Sequence, residues 1–233
     1  MRLVIGISIL ATAAVAHSQR EPYMVIEAAV AASVAQQNIV LDVGGWQRYG
    51  RSFERFQLRL FSKEGKVYAE QFLNDEKRLV LIADGRKVWR YDPVANEYTF
   101  LDQPDTFAKT MSVVAGWSRL HLQRPLRMMG GSVRWLVNPQ FEVNDSWVRV
   151  FQTRPLTGGD WRGSDTKFFF DDKRRIEKLT VEDRQDTPTG LKHVWFEGIL
   201  AYPDTLTVKF DFVPPRGAKP AADLPVRIPG DGG

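Results

Sequence analysis

From Phe53 onward the chain alternates apolar and polar side chains with a period of two, and this commits most of it to β-structure. In FERFQLRLF (53–61), Phe56, Leu58 and Leu60 share one face, while Arg55, Gln57 and Arg59 share the other. Glu64-Gly65-Lys66 reads as a hairpin turn. KVYAEQFLN and KRLVLIAD follow, then a tight turn at Asp84-Gly85, then KVWRYDP and NEYTFLD, which completes a meander of five short strands. Asp84-Gly85 is expected to be the two-residue loop of a type I′ turn, with positive φ at Gly85. Strands resume at WVRVFQTR (147–154) and continue through TKFFFD (166–171), RIEKLTVED (175–183), LKHVWFEGI (191–199) and LTVKFDFV (206–213).

Two segments carry helical spacing instead. In residues 21–36, Tyr23, Ile26, Val30 and Val34 recur on one side of an alanine-rich run, with Pro22 suited to the first turn. In residues 105–121, Phe107, Met111, Val114 and Trp117 or Ser118 fall together, and Asp105 sits at the start, where a negative charge suits the helix dipole. Gly44-Gly45 and Gly50 read as irregular chain. PLRMMGGSVRWLV is apolar without a clear period. The expected fold class is α+β, mainly β: residues 53–101 and 147–213 form one strongly curved antiparallel sheet, with helices 21–36 and 105–121 on its concave side.

Residues 1–18 read as a secretory signal. Arg2 is followed by the apolar run Leu3 to Val15, and Ala14-Val15-Ala16 or Ala16-His17-Ser18 offers a cleavage site. The apolar run is shorter than the ~20 residues a membrane span needs. The mature chain is expected to be exported and soluble, with a single domain over 19–219 and a Pro/Gly-rich tail over 220–233. There is no cysteine, which excludes disulfides and thiolate metal sites. The net charge of +4 is scattered among acids, so no nucleic-acid partner is expected, while a weak attraction to anionic lipid or an acidic partner stays open. A monomer is expected.

The catalytic inventory is thin. Beyond the signal the only histidines are His121 and His193, and there is no HExxH, GxSxG, Walker A or GxGxxG pattern. Asp171-Asp172 and Glu182-Asp183 are adjacent pairs that point to opposite faces of a strand or fall in a turn. Asn144-Asp145-Ser146 matches a glycosylation sequon. No catalytic residue, metal site or cofactor is assigned. Aromatic side chains are abundant, with 14 Phe, 7 Trp and 6 Tyr, enough either to fill a core or to line an apolar cavity. Strand alternation selects Trp89, Tyr91, Phe100, Phe151, Phe169 and Trp195 as the candidate lining.

Two further patterns bear on the family. Asp84-Gly85 is followed by Val88-Trp89-x-Tyr91-Asp92-Pro93, and the C-terminal part carries Phe210-x-Phe212-x-Pro214-Pro215-x-Gly217. With TKFFFDDKRRIEKLTVED between them, the chain resembles the LolA-type outer-membrane lipoprotein carriers and their relatives over most of residues 21–219. The resemblance implies an unclosed β-barrel lidded by helices, with a hydrophobic cavity. In the carriers that cavity holds lipoprotein acyl chains crossing the periplasm, between an inner-membrane donor and an outer-membrane acceptor. Helix 105–121 would then be a lid, with Phe107, Met111 and Trp117 facing the lipid. The Arg-Pro pair usual in the carriers is absent; the region reads Glu70-Gln71-Phe72-Leu73-Asn74-Asp75. Two other readings stay open: an envelope sensor that binds a lipidated or misfolded protein, and a periplasmic hydrolase.

Overall fold

The strand at the centre of the sheet is one that its glycines disguise. In the computed structural model, which describes residues 22–133, 140–155, 161–187 and 190–221, the chain over Asn38–Tyr49 is a twelve-residue strand, β1, and not irregular. Gly45 lies in its interior because nothing larger fits. A Cβ there would stand 2.5 Å from the Phe196 Cβ and 2.8 Å from the Phe56 ring.

β1 joins two meanders. On one side run β2 (Ser52–Lys63), β3 (Lys66–Leu73), β4 (Glu76–Ala83), β5 (Lys87–Asp92) and β6 (Glu97–Asp102). On the other run β7 (Gln140–Asn144), β8 (Trp147–Pro155), β9 (Trp161–Phe170), β10 (Ile176–Thr187) and β11 (Gly190–Ala201). A two-residue strand, β12 (Lys219–Pro220), adds in parallel to β6. The order β12-β6-β5-β4-β3-β2-β1-β11-β10-β9-β8-β7 makes one curved sheet of twelve strands whose outermost members do not pair, so it does not close. All other pairings are antiparallel. The mainly-β curved sheet is the one the alternation predicts, and its unclosed form is the one the resemblance implies.

The helices are α1 (residues 22–34), α2 (Phe107–Trp117) and α3 (Gln123–Met129), with a 3-10 turn at Leu120–Leu122 leading into α3. All three contribute to a single apolar cluster with one face of the sheet: Ile26 and Val30 from α1, Met111 and Val114 from α2, Leu126 and Met129 from α3. A buried polar contact ties α1 to the sheet. The Ser33 hydroxyl donates to the Ala29 carbonyl at 2.7 Å and accepts from the Ile176 N–H at 2.8 Å.

Two local expectations are corrected. LTVKFDFV (206–213) keeps its alternation but forms no ladder; it crosses the sheet as an extended strap. The loop of the β4–β5 hairpin is Gly85-Arg86, one residue later than expected. Ala83 pairs with Val88 and the Asp84 N–H donates to the Lys87 carbonyl at 3.1 Å. Gly85 does have positive φ (+98°), but Arg86 does not, so the turn is not type I′. The signal residues 1–18 and the tail beyond 221 lie outside the described residues.

Candidate ligand-binding faces and a cationic cleft

The helix-covered, inner face of the sheet is apolar, with phenylalanines set among aliphatic side chains. β1 gives it Leu41 and Val43, β2 gives Phe56, Leu58 and Leu60, and β11 gives Val194, Phe196 and Leu200. The three residues expected to form the lid lie here. Met111 is fully buried in the cluster, and Phe107 and Trp117 pack half-buried against it. Thr106, not Asp105, caps α2: its hydroxyl accepts from the Lys109 N–H at 3.3 Å, while Asp105 pairs with Lys109. At the other end, buried Gln71 donates its side-chain amide to the Ser118 hydroxyl at 2.6 Å, and that hydroxyl donates to the Val114 carbonyl at 2.6 Å. The C-terminus of α2 is thus pinned to β3 at the residue where the β3–β4 register shifts.

The six residues selected as cavity lining are all on the opposite, outer face. The inner positions are their chain neighbours: Val88 beside Trp89, Val150 beside Phe151, Phe168 and Phe170 beside Phe169, and Val194 and Phe196 beside Trp195. The correction has a simple origin. In VWRY, VRVF, KFFF and VWF both phases of the alternation are apolar, and a one-residue change of phase moves every side chain across the sheet.

Nor do the six form one group. Trp89, Tyr91 and Phe100 sit on β5 and β6; Phe151, Phe169 and Trp195 sit beyond β1, on β8, β9 and β11. The second trio shares its surface with cations. Lys167 lies 3.8 Å from the Trp147 ring centroid and 5.1 Å from that of Phe169, and Arg149 lies 5.3 Å from that of Phe151.

The first trio lies beneath the strap. Phe212 packs 5.1 Å from Trp89 and 5.8 Å from Tyr91, centroid to centroid, and Trp89 packs 4.7 Å from Phe100. Beyond it the Lys219 N–H donates to the Asn96 carbonyl at 3.0 Å and the Ala221 N–H to the Tyr98 carbonyl at 2.7 Å. The two motifs that carry the family resemblance, far apart in sequence, therefore pack on one another. On β4, Val80 and Ile82 lie on the outer phase, opposite Tyr91 and Trp89, and are buried although they lie outside the main cluster. Asp84 anchors the edge of this layer. Partial burial pushes its carboxyl up, but hydrogen bonds from the Lys87 N–H, the Trp89 indole N–H (2.9 Å) and the Arg86 N–H outweigh that and hold it below the usual carboxylate range.

At one end the inner face turns polar. Along β1 the inner positions run Leu41, Val43, Gly45, Gln47; along β11, Leu200, Phe196, Val194, Lys192; along β10, Leu179, Val181, Asp183. Helix α3 covers this end, burying Leu126 and Met129 while Arg124 and Arg127, three residues apart, turn the other way. Between them is a cleft of about 280 Å³. Arg124, Arg127 and Lys192 line it against the Asp183 carboxylate, and Arg184 borders it from the outer phase of β10. Arg124 is held in place by the Asp183 carboxylate (2.9 Å) and the Ser164 hydroxyl (3.1 Å), and Arg184 pairs with Glu182. Among the described residues Arg127 and Lys192 make no ion pair.

The floor of this cleft meets the core. Val194 belongs to the main cluster, and the His121 ring lies 3.9 Å from Phe56. Burial first, then the charges of Arg119 and Lys192, push the His121 imidazole down to about 4, so it is neutral at pH 7. The sequence reading missed this site. Its signal is the change from apolar to polar at inner strand positions, visible only once the phase of the strands is known. Among the described residues no group of three or more His, Cys, Asp or Glu is arranged to hold a metal ion.

No protein-family model and no curated protein matches the sequence. Among solved structures the chain is similar to the lipoprotein LppX of Mycobacterium tuberculosis, with 13% identity and a TM-score of 0.40, over 82% of this chain and 99% of that one. It is also similar to LprF of Mycobacterium bovis, with 12% identity and a TM-score of 0.39, over 82% and 96%. A DUF1329 family protein of Desulfovibrio piger gives 12% identity and a TM-score of 0.36, over 81% and 94%. Likenesses at this level leave the function to be argued from the chain's own residues.

Proposed function

We propose that the protein is a non-enzymatic carrier of the periplasm that takes the acyl chains of lipoproteins or other lipids between its helices and the inner face of its sheet. One observation carries this reading. The inner face is a continuous apolar surface on an unclosed sheet, and its cover is a set of short helices that bring Met111, Met128 and Met129 to the contact. Methionine is unbranched and adapts to irregular apolar shapes, so a Met-rich seam can re-pack around a chain and close again without it. Each methylene removed from water is worth ~0.8 kcal/mol, enough for a modest pocket to hold a lipid reversibly. An inner-membrane donor and an outer-membrane acceptor belong to this reading as its partners.

The test is binding of a fluorescent fatty acid, alongside native mass spectrometry for lipid retained through purification. Saturable binding is expected, weakened about tenfold or more by Met111→Asp and left unchanged by Trp195→Ala on the outer face. The reverse pattern would move the ligand to the outer aromatics, and no saturable binding at all would end the carrier reading.

A further inference from the structure

We infer that the cleft between α3 and the ends of β1, β10 and β11 is a binding site for the phosphate of an anionic lipid headgroup, with Arg127 and Lys192 as its principal contacts. The inference rests on the acyl-binding reading above and supplies its missing polar half.

The argument is one of continuity. The strand face that carries Leu41, Phe196 and Val181 becomes, further along the same strands, the face that carries Gln47, Lys192 and Asp183. An amphipathic molecule lying along these strands would keep its chains over the aliphatic part and its headgroup over the polar part. Charge then selects the headgroup. Arg124, Arg127 and Lys192 line the cleft against the Asp183 carboxylate, and Arg127 and Lys192 have no acid partner among the described residues. Arg124 is already fixed by Asp183 and Ser164 and presents its remaining N–H groups. A guanidinium with an ammonium beside it suits phosphate, whose oxygens accept several charge-assisted hydrogen bonds at once. A neutral imidazole on the floor adds no competing charge. An uncharged headgroup would leave Arg127 and Lys192 unneutralised.

The experiment titrates the purified protein with a fluorescent phosphatidylglycerol and with the diacylglycerol of the same chains, using inorganic phosphate as competitor. The acidic lipid is expected to bind at least ~10-fold more tightly than the neutral one. The double variant Arg127→Gln/Lys192→Gln should abolish that preference and keep the affinity for diacylglycerol. Lys178→Gln, which removes a charge from the outer face, should change neither. If the double variant does not fold, the single variants take its place, each with part of the loss. Equal affinity for the two lipids in the unmodified protein overturns the headgroup assignment and leaves the acyl reading standing. Phosphate binding that depends on Arg127 and Lys192, with no lipid bound, overturns both and makes the cleft a site for free phosphate. Loss of both lipids in a double variant with an unchanged thermal melt also overturns the assignment, because those cations would then serve the acyl path.

Discussion

The two faces of the sheet are covered by different means and with different chemistry. The inner face packs Phe56, Phe168 and Phe196 among aliphatic and Met side chains, and helices seal it. The outer face carries half-buried rings: over β5 and β6 a strap of extended chain lies on it, and over β8 to β11 the rings stand beside lysines and arginines. The lesson concerns where large apolar residues are tolerated. An aromatic ring can lie half-exposed because its face accepts a cation and its edge accepts a neighbouring ring, whereas a leucine has nothing to offer water. Aromatic content along a strand is therefore a poor guide to which face is the interior. Beside the strap-covered strands Val80 and Ile82, paired with Tyr91 and Trp89, are buried too, and β4 is buried on both sides.

The largest contrast should appear between one phenylalanine on each face. Phe56 is 1% exposed and packs against Phe196 and His121. Phe56→Ala should cost about 3–5 kcal/mol in urea unfolding, as a core truncation that leaves a cavity. Phe212→Ala should cost only about 1–2 kcal/mol, with a change in Trp89 fluorescence and earlier proteolysis of the strap. Equal losses would mean that the strap is integral to the main core and would erase the distinction between the faces.

The next largest effect is one of pH, and it belongs to the inner face alone. The His121 imidazole titrates at about 4 in the fold, below its ordinary 6.5. As pH falls below about 6.5 the unfolded chain takes up a proton that the fold refuses. Stability is therefore complete above that value and declines by about 2–3 kcal/mol on the way to about pH 4. His121→Leu should flatten this limb of a stability–pH curve. An unaltered limb would mean that His121 is solvated in the fold, and that the cleft floor is wetter than its packing on Phe56 implies.

The smallest effect sharpens the account of the strap-covered half. Gly85→Val forces a β-branched residue to φ +98° and should cost about 1 kcal/mol or more. Because Asp84 in the same turn holds the Trp89 indole, the substitution should also shift the tryptophan emission. A lower melting temperature with unchanged emission would show that the turn and the strap are independent.

Much of the sheet is legible in the chain. β2 to β6 and β8 to β11 each show period-two patterning between turn residues, and their limits fall within a few residues of the pattern, with β9 and β10 running longest beyond it. β1 is not legible, because its glycines answer to Phe56 and Phe196 on neighbouring strands, a constraint written in no local pattern. Residues 206–213 mislead in the other direction. Phe210 and Phe212 alternate like a strand, but alternation describes where side chains point, while a ladder needs a free edge at the right place. The cationic cleft was hidden for a third reason. Arg124, Asp183 and Lys192 come from three separate segments and meet only when β10 pairs with β11 and α3 folds over them.

The sequence by itself determines that this chain is mainly β, where most of its strands and its first two helices lie, and that both phases of several strands are apolar. Each of these follows from spacing along the chain, which side-chain periodicity reports directly. Only the tertiary structure decides which phase is interior, what the two aromatic motifs pack against, and which charges share a cleft. Those are properties of layers in contact, and a strand with apolar residues in both phases leaves them open until a helix or a strap covers one side.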